Sequence, residues 1–307
     1  MAPRIVSVFG ATGLQGGSVI DALLAGGTFT PRAITRDVDS EAAKKLEARG
    51  VEVVKADPLD KASLGGALQG SEAVFIVTVP MMPVEVDGVI QDEVTQGKNI
   101  AEAAKEVGGI KFIVLTSLPS IKKISGGKYA NCFQYESKPA IEEHIQATGI
   151  PHAFLHLGAF LENYWKFGLL KKIPTGFDVA IQKYTPKDIE EFTWVGREVP
   201  AATLAILHAY LDKGDASVVG KTYPLVNEAT SFADLAKRTG KALGVEVTFT
   251  TAPDSGMIFM DEMYAAHAEY SGLYTATPVP NPDLVALGVK FGTIEEFLEK
   301  EVKPRFG

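Results

Sequence analysis

The stretch Ile5-Val6-Ser7-Val8-Phe9-Gly10-Ala11-Thr12-Gly13-Leu14-Gln15-Gly16-Gly17 decides the reading of this chain. An apolar, β-branched run stops at Gly10, glycines follow at Gly13 and Gly16, and a helical pattern begins. Glycine at such positions lets the chain turn sharply off a strand. It also lets backbone N–H groups approach a pyrophosphate seated on the helix N-terminus. The spacing is G-x-x-G-x-x-G rather than G-x-G-x-x-G, and either form alone is a weak signal. Here it lies between a strand pattern and a helix pattern, the context such a motif requires. Gly10, Thr12, Gly13, Leu14, Gln15 and Gly16 are therefore the expected phosphate-binding residues of a dinucleotide site.

Short apolar runs alternate with helical patterns from there to about residue 155. Strands are expected at 5–9, 31–35, 51–55, 73–77, 111–115 and 152–156, and helices at 16–25, 40–49, 60–68, 89–107 and 135–147. This alternation implies an α/β, Rossmann-type doubly wound parallel sheet with right-handed crossovers. Strands this apolar are expected where helices cover both faces. After residue 151 the rhythm breaks. The stretch 168–186 shows no clear helix, while 191–195, 221–226 and 245–250 are strand-like. Helical patterns recur at 198–213, 231–243, 256–270 and 293–300, with Ser231 and Thr293 as N-caps. Residues 1–155 are thus expected to form an NAD(P)-binding domain. Residues 156–307 are expected to form a smaller α+β C-terminal lobe, partly interleaved with the sheet, that walls one side of a cleft.

Composition bounds the function. The chain has 307 residues, 46% of them hydrophobic, and a net charge of −8. That charge disfavours direct nucleic-acid binding and adsorption to anionic membranes. Cys132 is the one cysteine, which rules out an internal disulfide and suits a reducing compartment. No leader pattern opens the chain and no apolar run is long enough to span a membrane, so the expectation is a soluble cytoplasmic protein. His144, His152, His156, His208 and His267 show no metal-ligand spacing, and no metal is expected. The sequence carries no signal for an oligomeric state.

The second strand should end beside the adenosine ribose, where an acidic residue selects NAD and an arginine accommodates the 2′-phosphate of NADP. It ends Arg32-Ala33-Ile34-Thr35-Arg36-Asp37, which places Arg36 for that phosphate and Thr35 for a further hydrogen bond. The expected cofactor is NADP(H), although a register one residue on would present Asp37 and turn the site toward NAD. Asp57, after the third strand, either meets the adenine amino group or holds the turn before Pro58. Thr78, ending the fourth strand, should lie along the cofactor toward the nicotinamide. Met81, Met82 and Pro83 form either a lip over the site or a plain turn.

The segment Gly10-Ala11-Thr12-Gly13-Leu14-Gln15-Gly16-Gly17 resembles the N-terminal signature of the NmrA-like family, an atypical branch of the short-chain dehydrogenase/reductases. Ala33-Ile34-Thr35-Arg36, Lys138-Pro139-Ala140-Ile141-Glu142-Glu143-His144-Ile145 and Thr148-Gly149-Ile150-Pro151 fit the same pattern. So do Phe160-Leu161-Glu162-Asn163, Gly220-Lys221-Thr222-Tyr223 and Ser231-Phe232-Ala233-Asp234-Leu235. The resemblance spans most of the chain. It implies a Rossmann domain with a small C-terminal lobe and preferential NADP binding, with Phe160 and Asn163 at the nicotinamide end. The family is similar both to reductases of small aromatic or quinone-like molecules and to regulators that sense the NADP/NADPH balance, as in fungal nitrogen metabolite repression.

Hydride transfer needs a nicotinamide, a pocket and usually a proton donor. Typical short-chain dehydrogenases use Tyr-x-x-x-Lys, the lysine holding the ribose and lowering the tyrosine pKa. Lys138 fits the lysine, but Gln134 stands where the tyrosine is expected, and Tyr135 lies on a neighbouring face. Lys138 either holds the ribose, serves as the acid/base itself, or is a solvated helix residue. Ser117 and Tyr129 are further hydroxyl candidates, and Cys132 is a poorly supported redox switch. Phe160, Tyr164, Trp165 and Phe167 either form an apolar platform for a flat substrate or pack between lobes. Met257, Met260, Met263 and Tyr264 fall at helical spacing and read as core or as an adaptable wall. The leading expectation is an NADPH-dependent reductase of a small aromatic, enone or quinone-like compound. The alternative is a non-catalytic NADP(H) sensor that binds a regulatory protein partner.

Overall fold

The strand that feeds the glycine loop sits at the middle of the main sheet. The protein was analysed as a computed structural model, which describes residues 3–86 and 88–307. Along the first part, β1 (Ile5–Val8), α1 (Leu14–Gly26), β2 (Thr30–Thr35), α2 (Glu41–Glu47), β3 (Glu52–Lys55), α3 (Lys61–Leu68) and β4 (Ser71–Ile76) follow in turn. A hairpin of β5 (Val84–Val86) and β6 (Val89–Gln91) precedes α4 (Glu93–Val107), β7 (Phe112–Ser117), a short α5 (Ile121–Ile124), α6 (Phe133–Thr148) and β8 (His152–Leu157). Then come β9 (Ala159–Phe160), α7 (Asn163–Lys166), β10 (Leu170–Ile173), β11 (Gly176–Gln182), β12 (Ile189–Thr193), α8 (Val195–Leu211) and β13 (Lys221–Leu225). The chain ends with β14 (Glu228–Ser231), α9 (Phe232–Leu243), β15 (Glu246–Ala252), α10 (Ile258–Glu269), α11 (Pro282–Ala286), α12 (Ile294–Phe297) and α13 (Lys303–Phe306).

Seven strands form one parallel sheet in the order β3-β2-β1-β4-β7-β8-β13. The α/β doubly wound expectation is borne out. The strand order reverses between β1 and β4, and open α/β sheets bind ligands in the crevice at the carboxyl ends of strands at such a reversal. Gly10 and Thr78 both leave the sheet there.

Helices α1, α2 and α8 cover one face, where Val19, Ile20, Leu23, Leu46 and Ile206 bury against Val6, Val8 and Val114. Helices α3, α4 and α6 cover the other, where Leu64, Leu68, Ile100, Ile141 and Ile145 pack on Ile113 and Leu115. Each such aliphatic side chain taken fully out of water contributes roughly 1.5–3 kcal/mol. The α4–α6 contact is close because Gly97 has no side chain: a Cβ there would strike Ile141. The chain re-enters this body after residue 155, with α8 packed on α1 and β13 added beside β8. The remainder forms two small sheets, β10-β11-β15 and β14-β12-β9, around Leu161, Tyr164, Phe177, Tyr184 and Phe297. No helix among the described residues is long and apolar enough to cross a membrane.

Two helix expectations are corrected, and the stretch expected to hold no clear helix is filled by strands. The helix expected over 89–107 begins only at Glu93, because Val84, Val86 and Ile90 pair in a hairpin and Asp92 caps the helix, accepting from the Thr95 N–H at 2.7 Å. The irregular stretch 168–186 contains β10 and β11, whose inward residues alternate along Phe177, Val179 and Ile181. The helix expected over 293–300 keeps its Thr293 capping box but relaxes into a π turn at Leu298–Val302 before α13.

Candidate functional site

The loop from Gly10 to Gly13 is shaped to receive an anion. Gly10 has φ +67°, in the left-handed region that glycine tolerates. A Cβ at Gly16 would collide with the Gly10 carbonyl, so the helix start packs directly on the loop backbone. Gly13 caps α1 without a side-chain hydrogen bond. The first helical bond runs from the Gly17 N–H to Gly13 O at 2.9 Å, which leaves the preceding N–H groups with no helical acceptor. Their partial positive charge adds to that of the helix end.

Arg36 stands exposed just past β2, with no ion-pair partner among the described residues. Its neighbour Asp37 is occupied locally: one carboxylate oxygen accepts from the Asp39 N–H at 2.9 Å, and its carbonyl accepts from the Ser40 hydroxyl. Asp57 also works in a turn, accepting from the Leu59 N–H at 3.0 Å, while the Ser63 hydroxyl accepts from the Asp57 N–H.

At the end of β4 three side chains close a buried triangle. The Lys138 ammonium lies 2.7 Å from Oε1 of Glu93 and donates to Oγ1 of Thr78 at 2.8 Å, and the Thr78 hydroxyl donates to the same Glu93 oxygen at 2.8 Å. Glu93 is 0% exposed and the Lys138 side chain 8%. Lys138 is therefore not a solvated helix lysine. One turn into α4, the Gln96 amide accepts from the Val79 N–H and donates to Val79 O, both at 3.0 Å, and so pins the segment that follows Thr78.

The hydroxyls near Lys138 are mostly engaged. Tyr135 is bonded to His267 Nε2 at 2.8 Å, and burial pushes its pKa well above the phenol range, with the charge of Glu190 adding to the effect. Tyr129 donates to Glu269 at 2.6 Å, and burial likewise raises its pKa. Ser117 is buried at the end of β7 with no partner for its hydroxyl. Gln134 reaches across to α10, donating to Phe259 O at 3.4 Å. Cys132 is fully buried, and burial beside Glu262 and Glu136 pushes its thiol up to about 12, which suppresses the reactive thiolate.

An open cleft of about 500 Å³ lies between the Met82-Pro83 segment, the start of α6 and the start of α10. Phe133 and Phe259 line it with ring centroids 5.0 Å apart, together with Ile258 and the Glu136 carboxylate. Phe133 and Glu136 are on α6, the helix that carries Lys138, but Lys138 itself does not line the cleft. Met82 and Ile258 are 60% and 59% exposed and give the rim apolar members beside the exposed Lys122 and Asn131.

Residues 3–298 match the model of the NmrA-like family. The chain belongs to that family. The NmrA-like oxidoreductase notA of Aspergillus sp. (strain MF297-2) is 43% identical over 146 residues, which span 48% of this chain and 43% of that protein. This match thus covers less than half the length of that relative. Among solved structures, NmrA, a negative transcriptional regulator in complex with NADP, superposes with a TM-score of 0.80 at 20% identity, covering 100% of this chain and 97% of that one. The Citrobacter sp. triphenylmethane reductase complexed with NADP(H) gives a TM-score of 0.73 at 22% identity, covering 96% and 99%. At these identities the two structures establish the fold.

Within this NmrA-like fold the aromatic run after β8 does not form a platform. Tyr164 is buried and its hydroxyl bonds Thr239 at 3.0 Å, Trp165 stacks on Phe297 at 5.6 Å, and Phe167 projects outward. Phe160 packs against the α1–α8 core, and Asn163 keeps a buried carbonyl oxygen without a partner. Sequence reasoning missed Glu93 and Gln96, because extending the helix back to residue 89 hid that both sit in its first turn at the carboxyl edge of the sheet. It also missed His267 and Glu190 behind Tyr135, which are brought together only by the docking of α10 and β12.

Proposed function

We propose that this NmrA-like chain is an NADPH-dependent reductase of a small, flat, apolar carbonyl, enone or quinone-like compound. The observation that carries the reading is that the carboxyl edge of the parallel sheet gathers the helix N-terminus of the glycine loop, Arg36 with no ion-pair partner among the described residues, and the buried Lys138. The fit to a dinucleotide rests on further features. A Cβ at Gly16 would meet the Gly10 carbonyl, so the helix start lies directly against the glycine loop. Buried polar atoms without partners, Gln15 Oε1, Ser117 Oγ and Asn163 Oδ1, sit at the carboxyl ends of the strands, where ligand hydroxyls and amides would satisfy them.

In this reading Gly10, Thr12, Gly13, Leu14, Gln15 and Gly16 hold the diphosphate and Arg36 the 2′-phosphate. Asp57 takes the adenine amino group through the oxygen its turn does not use. Thr78 and Lys138 hold the nicotinamide ribose, and Phe160 and Asn163 lie at the nicotinamide end. NADPH would supply the hydride. In this reading residues 1–155 hold most of the cofactor, Phe160 and Asn163 add to its nicotinamide end, and the C-terminal lobe supplies the α10 wall of the cleft. Its Phe133–Phe259 walls suit a planar substrate.

One observation favours a second reading. Gln134 replaces the usual tyrosine, and the Tyr129 and Tyr135 hydroxyls are both committed to other partners, which suits an NADP(H)-binding regulator with a protein partner. The experiment is NADPH oxidation, followed by absorbance, against a panel of quinones, enones and aromatic carbonyls. Turnover that Lys138→Met abolishes supports the reductase. Tight NADPH binding without turnover across the panel supports the regulator.

A further inference from the structure

We infer that Glu93 is a positioning residue: its buried carboxylate, together with the Thr78 hydroxyl, holds the Lys138 ammonium in one pose, aimed at the nicotinamide ribose. This inference rests on the NADP(H) reading above. Glu93 Oε1 receives both the Lys138 ammonium and the Thr78 hydroxyl, while its other oxygen has no partner among the described residues. Lys138 is the basic side chain within ion-pair distance of this carboxylate among the described residues, and the carboxylate is 0% exposed.

Geometry fixes the direction of the ammonium. An ammonium has three donors. Glu93 and Thr78 occupy two of them, at 2.7 and 2.8 Å, which leaves one for a ligand. Other carboxylates near α6 are engaged elsewhere. Glu142 of α6 lies 2.7 Å from His156 of β8, and Glu136 accepts from the Ser120 hydroxyl and the Lys122 N–H of the α5 region. A long flexible side chain is thereby held in one pose before any ligand arrives, which lowers the ordering cost of binding.

The test uses the full-length protein and two ligands, NADPH and 2′,5′-ADP, which has the adenosine and its 2′-phosphate but no nicotinamide ribose. Glu93→Gln is expected to weaken NADPH binding by roughly tenfold or more and to leave 2′,5′-ADP affinity unchanged. Adding Lys138→Met to Glu93→Gln should weaken NADPH no further than Lys138→Met alone, since both act through one contact. The paired change Glu93→Leu with Lys138→Met removes both charges, so it should fold and match Lys138→Met in binding even where Glu93→Gln is poorly folded. Unchanged NADPH affinity in Glu93→Gln, equal losses for both ligands, or additive losses with Lys138→Met would each overturn the inference. Failure of the wild-type protein to bind NADPH would instead remove the functional reading beneath it, and the inference with it.

Discussion

The Tyr135 hydroxyl of α6 lies 2.8 Å from Nε2 of His267 on α10, and Nδ1 of the same ring faces Glu190 on β12 at 3.0 Å. Tyr184 donates its hydroxyl to Glu190 and completes the chain. All four residues are buried. The helix that carries Lys138 is therefore tied to the C-terminal lobe by a buried polar network. In such a place every member needs its partners.

His267→Ala leaves the Tyr135 hydroxyl and the Glu190 carboxylate short of a partner. The expected destabilisation is about 1–3 kcal/mol for each orphaned group, read as a lower urea midpoint at unchanged slope. Adding Tyr135→Phe should cost less than the sum of the two single changes. An additive double variant would show that the two groups do not act as one network.

Gly16→Ala tests the cradle. The new methyl meets the Gly10 carbonyl, a backbone atom that cannot swing aside. Overpacking of this kind costs typically about 1–3 kcal/mol. Thermal unfolding should shift down and NADPH affinity should fall together, because the same displacement opens the loop. A variant with wild-type stability and affinity would contradict the close packing.

Stability should fall as pH rises from about 4.5 to about 8. Burial raises the Glu198 carboxyl to about 8, against the N–H groups of Trp194 and Gly292 that favour its charge, and nearby Glu162 is also raised by burial. A group whose folded-state pKa is raised binds its proton more tightly in the native state. Its contribution is fully present below the unfolded value and is lost through the folded one. The drop is of the order of a few kcal/mol. Denaturant titrations at pH 5 and pH 8 check it, and Glu198→Gln should flatten the slope. A stability that rises over that interval would contradict the assignment.

Cys132 should resist alkylation in the folded protein at neutral pH. Its thiol is buried and pushed up to about 12 by burial and by the charges of Glu262 and Glu136. Iodoacetamide should label it only on unfolding. Rapid labelling of the native protein would reinstate it as a reactive thiol.

Much of the fold was legible in the sequence because local signals and tertiary structure agree. The glycines at 10, 13 and 16, the apolar strands, and caps such as Ser231 and Thr293 each point to one element. The hairpin of β5 and β6 was missed because the run from Val89 was read as the start of the helix, although Asp87-Gly88 in the sequence is a hairpin-turn pair. Arg36 could be placed from its strand end alone. The state of Lys138 could not, because its partner Glu93 is 45 residues away in sequence and faces it only after α4 packs on α6. The aromatic run failed as a platform because Tyr164 and Trp165 are taken up by Thr239 and Phe297, contacts of the C-terminal lobe with no local signature.

The most direct test is a calorimetric titration of the purified protein with NADPH and NADH, repeated with Arg36→Ala. NADPH should bind more tightly than NADH, and Arg36→Ala should erase most of the difference, a loss of about 1.5–3 kcal/mol for a charge-assisted phosphate contact. Equal affinity for the two dinucleotides, or no binding of either, would contradict an NADP(H) site at the carboxyl edge of β1 and β2.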